Sequence, residues 1–139
     1  MKISEYLLKD MPEGKLINIG LLCARLIFGL TLSLYHGWPT FLDFINGDYD
    51  YPDPVGIGSA ATMALMGFAE FICAYLVAIG LGTRLAAIPI AFGFAVAFFI
   101  HHAQDPFNVG QLSFLYGSAF LVIALTGPGK YSLDYYWFK

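Results

Sequence analysis

The chain has 139 residues, of which 58% are hydrophobic and only 12% charged, and its mean hydropathy is +0.67. A soluble domain carries about 25% charged residues, so composition excludes a soluble enzyme, a disordered tail and a disulfide-stapled secreted domain. Seven Lys and Arg against ten Asp and Glu, with no basic cluster, exclude a nucleic-acid binder; what remains is a small polytopic membrane protein.

Residues 2–12 set Ile3, Tyr6, Leu7 and Leu8 beside Lys and Glu, and fit either a short interfacial helix or a frayed tail. Mixed charge up to Lys15, with no small-residue cleavage site after the apolar run, argues against a cleavable signal peptide. A membrane span needs roughly 20 apolar residues. Four runs approach or exceed that length: 16–38 with the single charge Arg25, 57–80 with the single charge Glu70, then 85–102 and 109–126 with no Asp, Glu, Lys or Arg. None alternates with period two, so helices fit and barrel strands do not.

Chain punctuation marks the joints. Residues 39–56 carry Asp43, Asp48, Asp50, Asp53, Pro52 and Pro54, and read as an acidic loop. Gly80 to Arg84 reads as a tight turn, Asp105-Pro106 separates the third and fourth runs, and Gly127-Pro128-Gly129 opens a tail over 127–139. The predicted fold is all-α: one domain over 1–139, an antiparallel up-and-down membrane bundle of four helices. Lys2, Lys9, Lys15, Arg84, Lys130 and Lys139 then share one side, and the two remaining loops hold no Lys or Arg. The positive-inside rule places that side, with both termini, in the cytoplasm. Tyr35, Trp38, Phe41, Phe44, Tyr49 and Tyr51 crowd the outer edge. Tyr131, Tyr135, Tyr136, Trp137 and Phe138 crowd the inner one, as interfacial belts do.

Arg25 and Glu70 are the informative residues, because a charge at the centre of a span costs about 2.5–3.5 kcal/mol on insertion scales. Arg25 lies nine residues past Leu16, and Glu70 nine before Ile79. At 1.5 Å per residue both come to roughly 14 Å from the cytoplasmic edge. The sequence therefore predicts an intramembrane ion pair, acting as a register clamp rather than as catalytic machinery. Asn18, Ser33 and His36 recur on Arg25's side of the first helix. With His102 and Gln111 they form a candidate polar pocket. No catalytic residue is assigned.

His36, His101, His102 and Asp105 are the side chains that could ligate a metal. Neighbouring His101 and His102 diverge by about 100° on a helix, and no dense zinc-type spacing is present. They read as interfacial histidines, without a metal. Cys23 and Cys73 form no CxxC and read as small packing residues without a disulfide.

An ordered set of motifs runs through the chain: Ala24-Arg25-Leu26 with Gly29, His36-Gly37, and Asp53-Pro54-Val55-Gly56-Ile57-Gly58. It continues with Ala69-Glu70, Gly80-Leu81-Gly82-Thr83-Arg84, His102-Ala103-Gln104-Asp105-Pro106, and Thr126-Gly127-Pro128-Gly129-Lys130-Tyr131 through Asp134. By these the chain resembles the DoxX family of small four-helix bacterial membrane proteins, from Leu22 to Asp134. Trp38-Pro39-Thr40 stands where relatives often carry a lysine, and Gln111 where a glutamate is common. The resemblance implies an integral protein of the bacterial inner membrane. It also implies a non-catalytic subunit of a redox system, with a quinone as cofactor and partner oxidoreductase subunits or further copies of the chain around it. Two alternatives stand beside that reading: a small-molecule or metal-handling transporter or accessory protein, and a structural scaffold for partner proteins.

Overall fold

Backbone polar groups cannot be left unpaired in hydrocarbon, and the chain answers with helices. The computed structural model describes residues 2–139; among them there is no strand. A short helix α1 spans Ile3–Leu7. Four long apolar helices follow: α2 Lys15–Asn46, α3 Ser59–Ile79, α4 Thr83–His101 and α5 Phe107–Thr126. A last short helix, α6, spans Leu133–Phe138. Each long helix packs against the next in sequence, and α5 closes back on α2. The expected up-and-down four-helix architecture is present, and α1 and α6 meet at one end, bringing the two termini together.

The first span differs from its predicted range. It continues through Trp38–Asn46 instead of ending at Trp38. The acidic and proline residues there suggested a loop, but Pro39 falls just after a π-helical turn at Ser33–Gly37. A proline inside a helix removes one backbone bond and crowds the carbonyl four residues earlier. The widened turn lies where that crowding falls. The helix then ends at Gly47, whose φ of 81° supplies the left-handed cap, with the Asp48 N–H donating to the Asp43 carbonyl at 3.0 Å. Helix α3 carries a matching π-turn at Phe68–Cys73 and α4 one at Ala97–His101.

Small residues set the spacing of α2 and α3. At Gly29 a Cβ would lie 2.8 Å from the Ala74 carbonyl oxygen. At Gly37 it would run into the backbone of Glu70 and Phe71. Lipid gives helices no hydrophobic drive to associate, so close backbone approach and dispersion must supply it. The buried centre is correspondingly made of Leu32, Ala74, Val77, Ala87, Ile90 and Phe120, with Phe94 and Tyr116 beside them. Leu16, Leu65, Phe92 and Leu125 point outward, each at least 60% exposed, as lipid-facing residues do.

Candidate functional site

Contacts between α2 and α3 fix their register from one end to the other. The Arg25 guanidinium donates to the carbonyls of Val77 (3.4 Å) and Ala78 (3.1 Å). Gly29 abuts Ala74, Ser33 Oγ donates to the Phe71 carbonyl at 3.0 Å, and Gly37 abuts Glu70. Arg25 is therefore level with the end of α3, and Glu70 is level with Gly37. Twelve residues separate the two levels along α2, roughly 18 Å at 1.5 Å per residue.

The expected Arg25–Glu70 ion pair accordingly does not form; among the described residues the only contact within 4.0 Å between a basic and an acidic side chain is His102–Asp105. The expectation failed because it started both helices at one depth. The first turns of α2 extend past the end of α3 and pack instead on the chain's terminal segments. Arg25 reaches the Tyr131 carbonyl there, at 2.5 Å.

That terminal end is a dense polar clamp. Arg25 is 1% exposed and Asp134 fully buried. Asp134 accepts from the Gly82 N–H (2.7 Å) and the Thr83 N–H (2.9 Å), capping α4 from the tail. Its carboxylate also lies within electrostatic range of Arg25. Arg84 donates to the Lys9 carbonyl and stacks 5.8 Å from the Tyr6 ring centroid. Asn18 donates to the carbonyls of Pro12 (2.7 Å) and Gly14 (2.8 Å) and accepts from the Lys130 N–H (2.6 Å). Residues before α2 and after α5 are thus stapled together. Gly80 makes room for this: with φ at 79° it ends α3, and a Cβ there would meet the Arg25 guanidinium and Ser132.

The other buried charge stands in different surroundings. Glu70 is 7% exposed, in the π-turn of α3, and its carboxylate takes no hydrogen bond or ion pair from the described residues. The π-turn of α2, with Ser33, His36 and Gly37, packs directly on it. π-Turns are frequent at functional sites because they re-aim side chains without ending a helix. The His36 ring meets the Tyr116 ring edge-on at 5.7 Å, and Tyr116 stacks on Phe94 at 5.4 Å. Both Tyr116 and Tyr51 lie in the field of the Glu70 carboxylate. Tyr51 comes from the outer loop; burial pushes its phenol well above its ordinary value, and Glu70 adds to the rise. The loop itself is clipped by Asp53, whose carboxylate accepts from Gly58 N–H (2.8 Å), Thr62 Oγ (2.9 Å) and Ile57 N–H (3.1 Å).

The candidate polar pocket is thereby divided. Ser33 and His36 belong to the Glu70 centre, and Asn18 to the terminal clamp. His102 is held by Asp105 at 2.8 Å near the start of α5, and Gln111 is exposed. His101 packs against His102 with ring centroids 4.7 Å apart. Among the described residues no three His, Cys, Asp or Glu side chains come together as a metal would require. Cys23 is exposed, Cys73 is buried, and both are free. Sequence reasoning missed Tyr51, Tyr116, Arg84 and Asp134. Tyr116 carried a signal: a phenol in mid-span needs a polar partner. Tyr51 and Asp134 carried none, since both stand in stretches that read as belt or tail.

Comparison with known proteins bears on the same residues. The DoxX family model matches residues 20–103, which hold Arg25, His36, Tyr51 and Glu70 but neither Tyr116 nor Asp134. The inner membrane protein YqjF of Escherichia coli (strain K12) is 28% identical over 124 residues, covering 86% of this chain and 93% of that protein. An uncharacterized protein of Haemophilus influenzae is 29% identical over 119 residues, covering 78% of this chain and 84% of its own length. No solved structure matches the chain.

Proposed function

We propose that this chain, which belongs to the DoxX family, works in the bacterial inner membrane as a non-catalytic subunit of a quinone-linked redox system. Its relative in Escherichia coli bears an inner-membrane name, and four apolar helices suit the same location here. The cations gathered at the end where the termini meet support a cytoplasmic position for both.

One observation carries the redox reading: Glu70 is more than nine-tenths buried, and none of the described residues donates to its carboxylate. A buried carboxylate is costly unless something hydrogen-bonds to it. A quinol hydroxyl is such a donor, soluble in the bilayer and planar enough to lie against His36 and Tyr116. When bound, a quinone supplies two-electron, two-proton carriage within the membrane. Glu70 would accept the hydroxyl's hydrogen bond and hold its proton, Tyr51 would cover the site from the loop, and Gly37 would keep the helices close. Electron transfer itself falls to a partner oxidoreductase subunit, or to a complex in which further copies of this chain take part.

Purification from native membrane followed by solvent extraction should recover an isoprenoid quinone with the protein. A short-chain quinone analogue, titrated into detergent-solubilised protein, should bind about tenfold more weakly to Glu70→Gln, the scale of one lost charge-assisted hydrogen bond. Purified protein free of quinone, together with equal probe affinity in both forms, would overturn the reading.

A further inference from the structure

A second concave site lies at the opposite end of the molecule from the outer loop. It is a cleft of about 540 Å³ between the end of α3 and the tail, lined by Lys130, Lys139, Tyr131, Tyr135, Tyr136 and Ile79 among others. The clamp gives this cleft its shape. Ser132 Oγ accepts from the Tyr135 N–H at 3.2 Å and starts α6. Asp134, on the same short helix, is buried in the opposite direction against α4. Arg25 holds the Tyr131 carbonyl from behind. The tail backbone is therefore anchored from Tyr131 to Tyr135, and α6 runs from that anchor along the cleft.

Those side chains have a definite chemistry. Lys130 and Lys139 are exposed cations, and Lys139 Nζ lies 5.0 Å from the Tyr135 ring centroid, over its face. The acidic residue of this segment, Asp134, is fully buried and already engaged by two N–H groups, so it does not neutralise the cleft. Tyr131 and Tyr136 are 46% and 81% exposed, with hydroxyls free to donate. Below the cleft, Ile79 continues into an exposed apolar row on α3: Tyr75, Ile72, Phe68 and Leu65 follow at four- and three-residue steps.

A paired cationic rim, phenol donors and an apolar track leading down the lipid-facing side of a helix together match one ligand shape. The geometry points to this cleft as a binding site for an anionic phospholipid. The phosphate sits between Lys130 and Lys139, the tyrosine hydroxyls bond the headgroup, and an acyl chain lies along the α3 row. Basic juxtamembrane side chains attract anionic lipid by about fivefold each, so the pair contributes on the order of 25-fold. The site is separate from the Glu70 centre and does not depend on the quinone reading.

Native mass spectrometry can test it. Protein would be released from nanodiscs of phosphatidylcholine alone or of phosphatidylcholine with phosphatidylglycerol. The wild-type chain should retain phosphatidylglycerol in preference to phosphatidylcholine, and K130A/K139A should lose that preference by on the order of 20-fold. Lys130 and Lys139 are exposed, so the variant should keep its melting temperature in phosphatidylcholine. A second variant, Ile79→Lys, closes the track while adding positive charge, and should weaken retention as well. Equal retention of both lipids by wild type would overturn the proposal. So would unchanged preference in K130A/K139A, or displacement of the lipid by millimolar inorganic phosphate, which would mark a site for the free anion.

Discussion

Arg25 and Glu70 are both charged, both buried and both on membrane-spanning helices, yet the molecule treats them oppositely. Arg25 is met by three carbonyl oxygens and lies in the field of a buried carboxylate. Among the described residues, none donates to the Glu70 carboxylate. The difference separates two uses of a buried charge. Where partners converge from several segments, the fold itself consumes the charge, and the group holds segments together. Where none converge, the fold bears the desolvation cost and leaves the group for something from outside. The terminal end of the bundle is thus a clamp, and the level of the two π-turns is where we propose that a ligand binds.

If that contrast is right, mutations at the two levels should differ in size and in sign. The largest effect belongs to the clamp. Asp134→Ala removes the acceptor of two buried N–H groups and a carboxylate within electrostatic range of Arg25, and should destabilise the protein by about 3–5 kcal/mol. Arg25→Ala should do the same, and Arg25→Lys should rescue only part, because an ammonium cannot reproduce the guanidinium fork across three carbonyls. Thermal unfolding in detergent reads both. Wild-type stability in either alanine variant would break the contrast at its strong end.

Next in size is Gly37→Ala. A methyl there would run into the Glu70 backbone, so α2 and α3 must separate, at about 1–3 kcal/mol. This variant should also lose quinone-analogue binding, since it displaces the Glu70 level directly. Glu70→Gln sharpens the comparison further: it keeps the shape and removes the charge. The melting temperature should stay level or rise by the equivalent of about 1 kcal/mol, while ligand binding falls. A strongly destabilised Glu70→Gln would show that Glu70 is held by the fold after all.

The contrast was only half legible in the sequence. Four spans could be read because apolar run length alone decides them, and because glycine and proline mark their ends. The importance of Arg25 and Glu70 could also be read, since composition makes any charge in those runs exceptional. Their relation could not. It depends on how far α2 slides past α3, and nothing local to either helix encodes that offset. It is set by Gly29 and Gly37 fitting against Ala74 and Glu70, and by a tail that occupies the space beside the first turns of α2. Asp134 shows the same limit. In sequence it is one acid in an aromatic tail; in the fold it caps a helix about fifty residues away in the chain. Trp38–Asn46 shows another: Pro39 and Asp43 read as loop residues, and the π-turn just before them is what keeps the helix going.

The smallest effect concerns the lid over the Glu70 level. The Gly58 N–H, then Thr62 and Ile57, donate to Asp53 and hold its carboxyl below the usual carboxylate range. With the folded-state value depressed, the unfolded chain takes up the proton first. The clip's contribution is therefore complete above the ordinary Asp range, near pH 4, and is lost as pH falls through the lower folded value. Since Tyr51 rides on the same loop, weakening this clip should expose the Glu70 level without unfolding the bundle. Hydrogen exchange over residues 51–62 should then be faster in Asp53→Asn than in wild type at pH 6, and the two should converge as pH falls through the lowered folded-state value. The clamp's amides around Gly82 and Thr83 should stay protected in both. Equal exchange of loop and clamp in the variant would mean that the outer loop is held by the bundle as a whole, and that Asp53 does not govern access to Glu70.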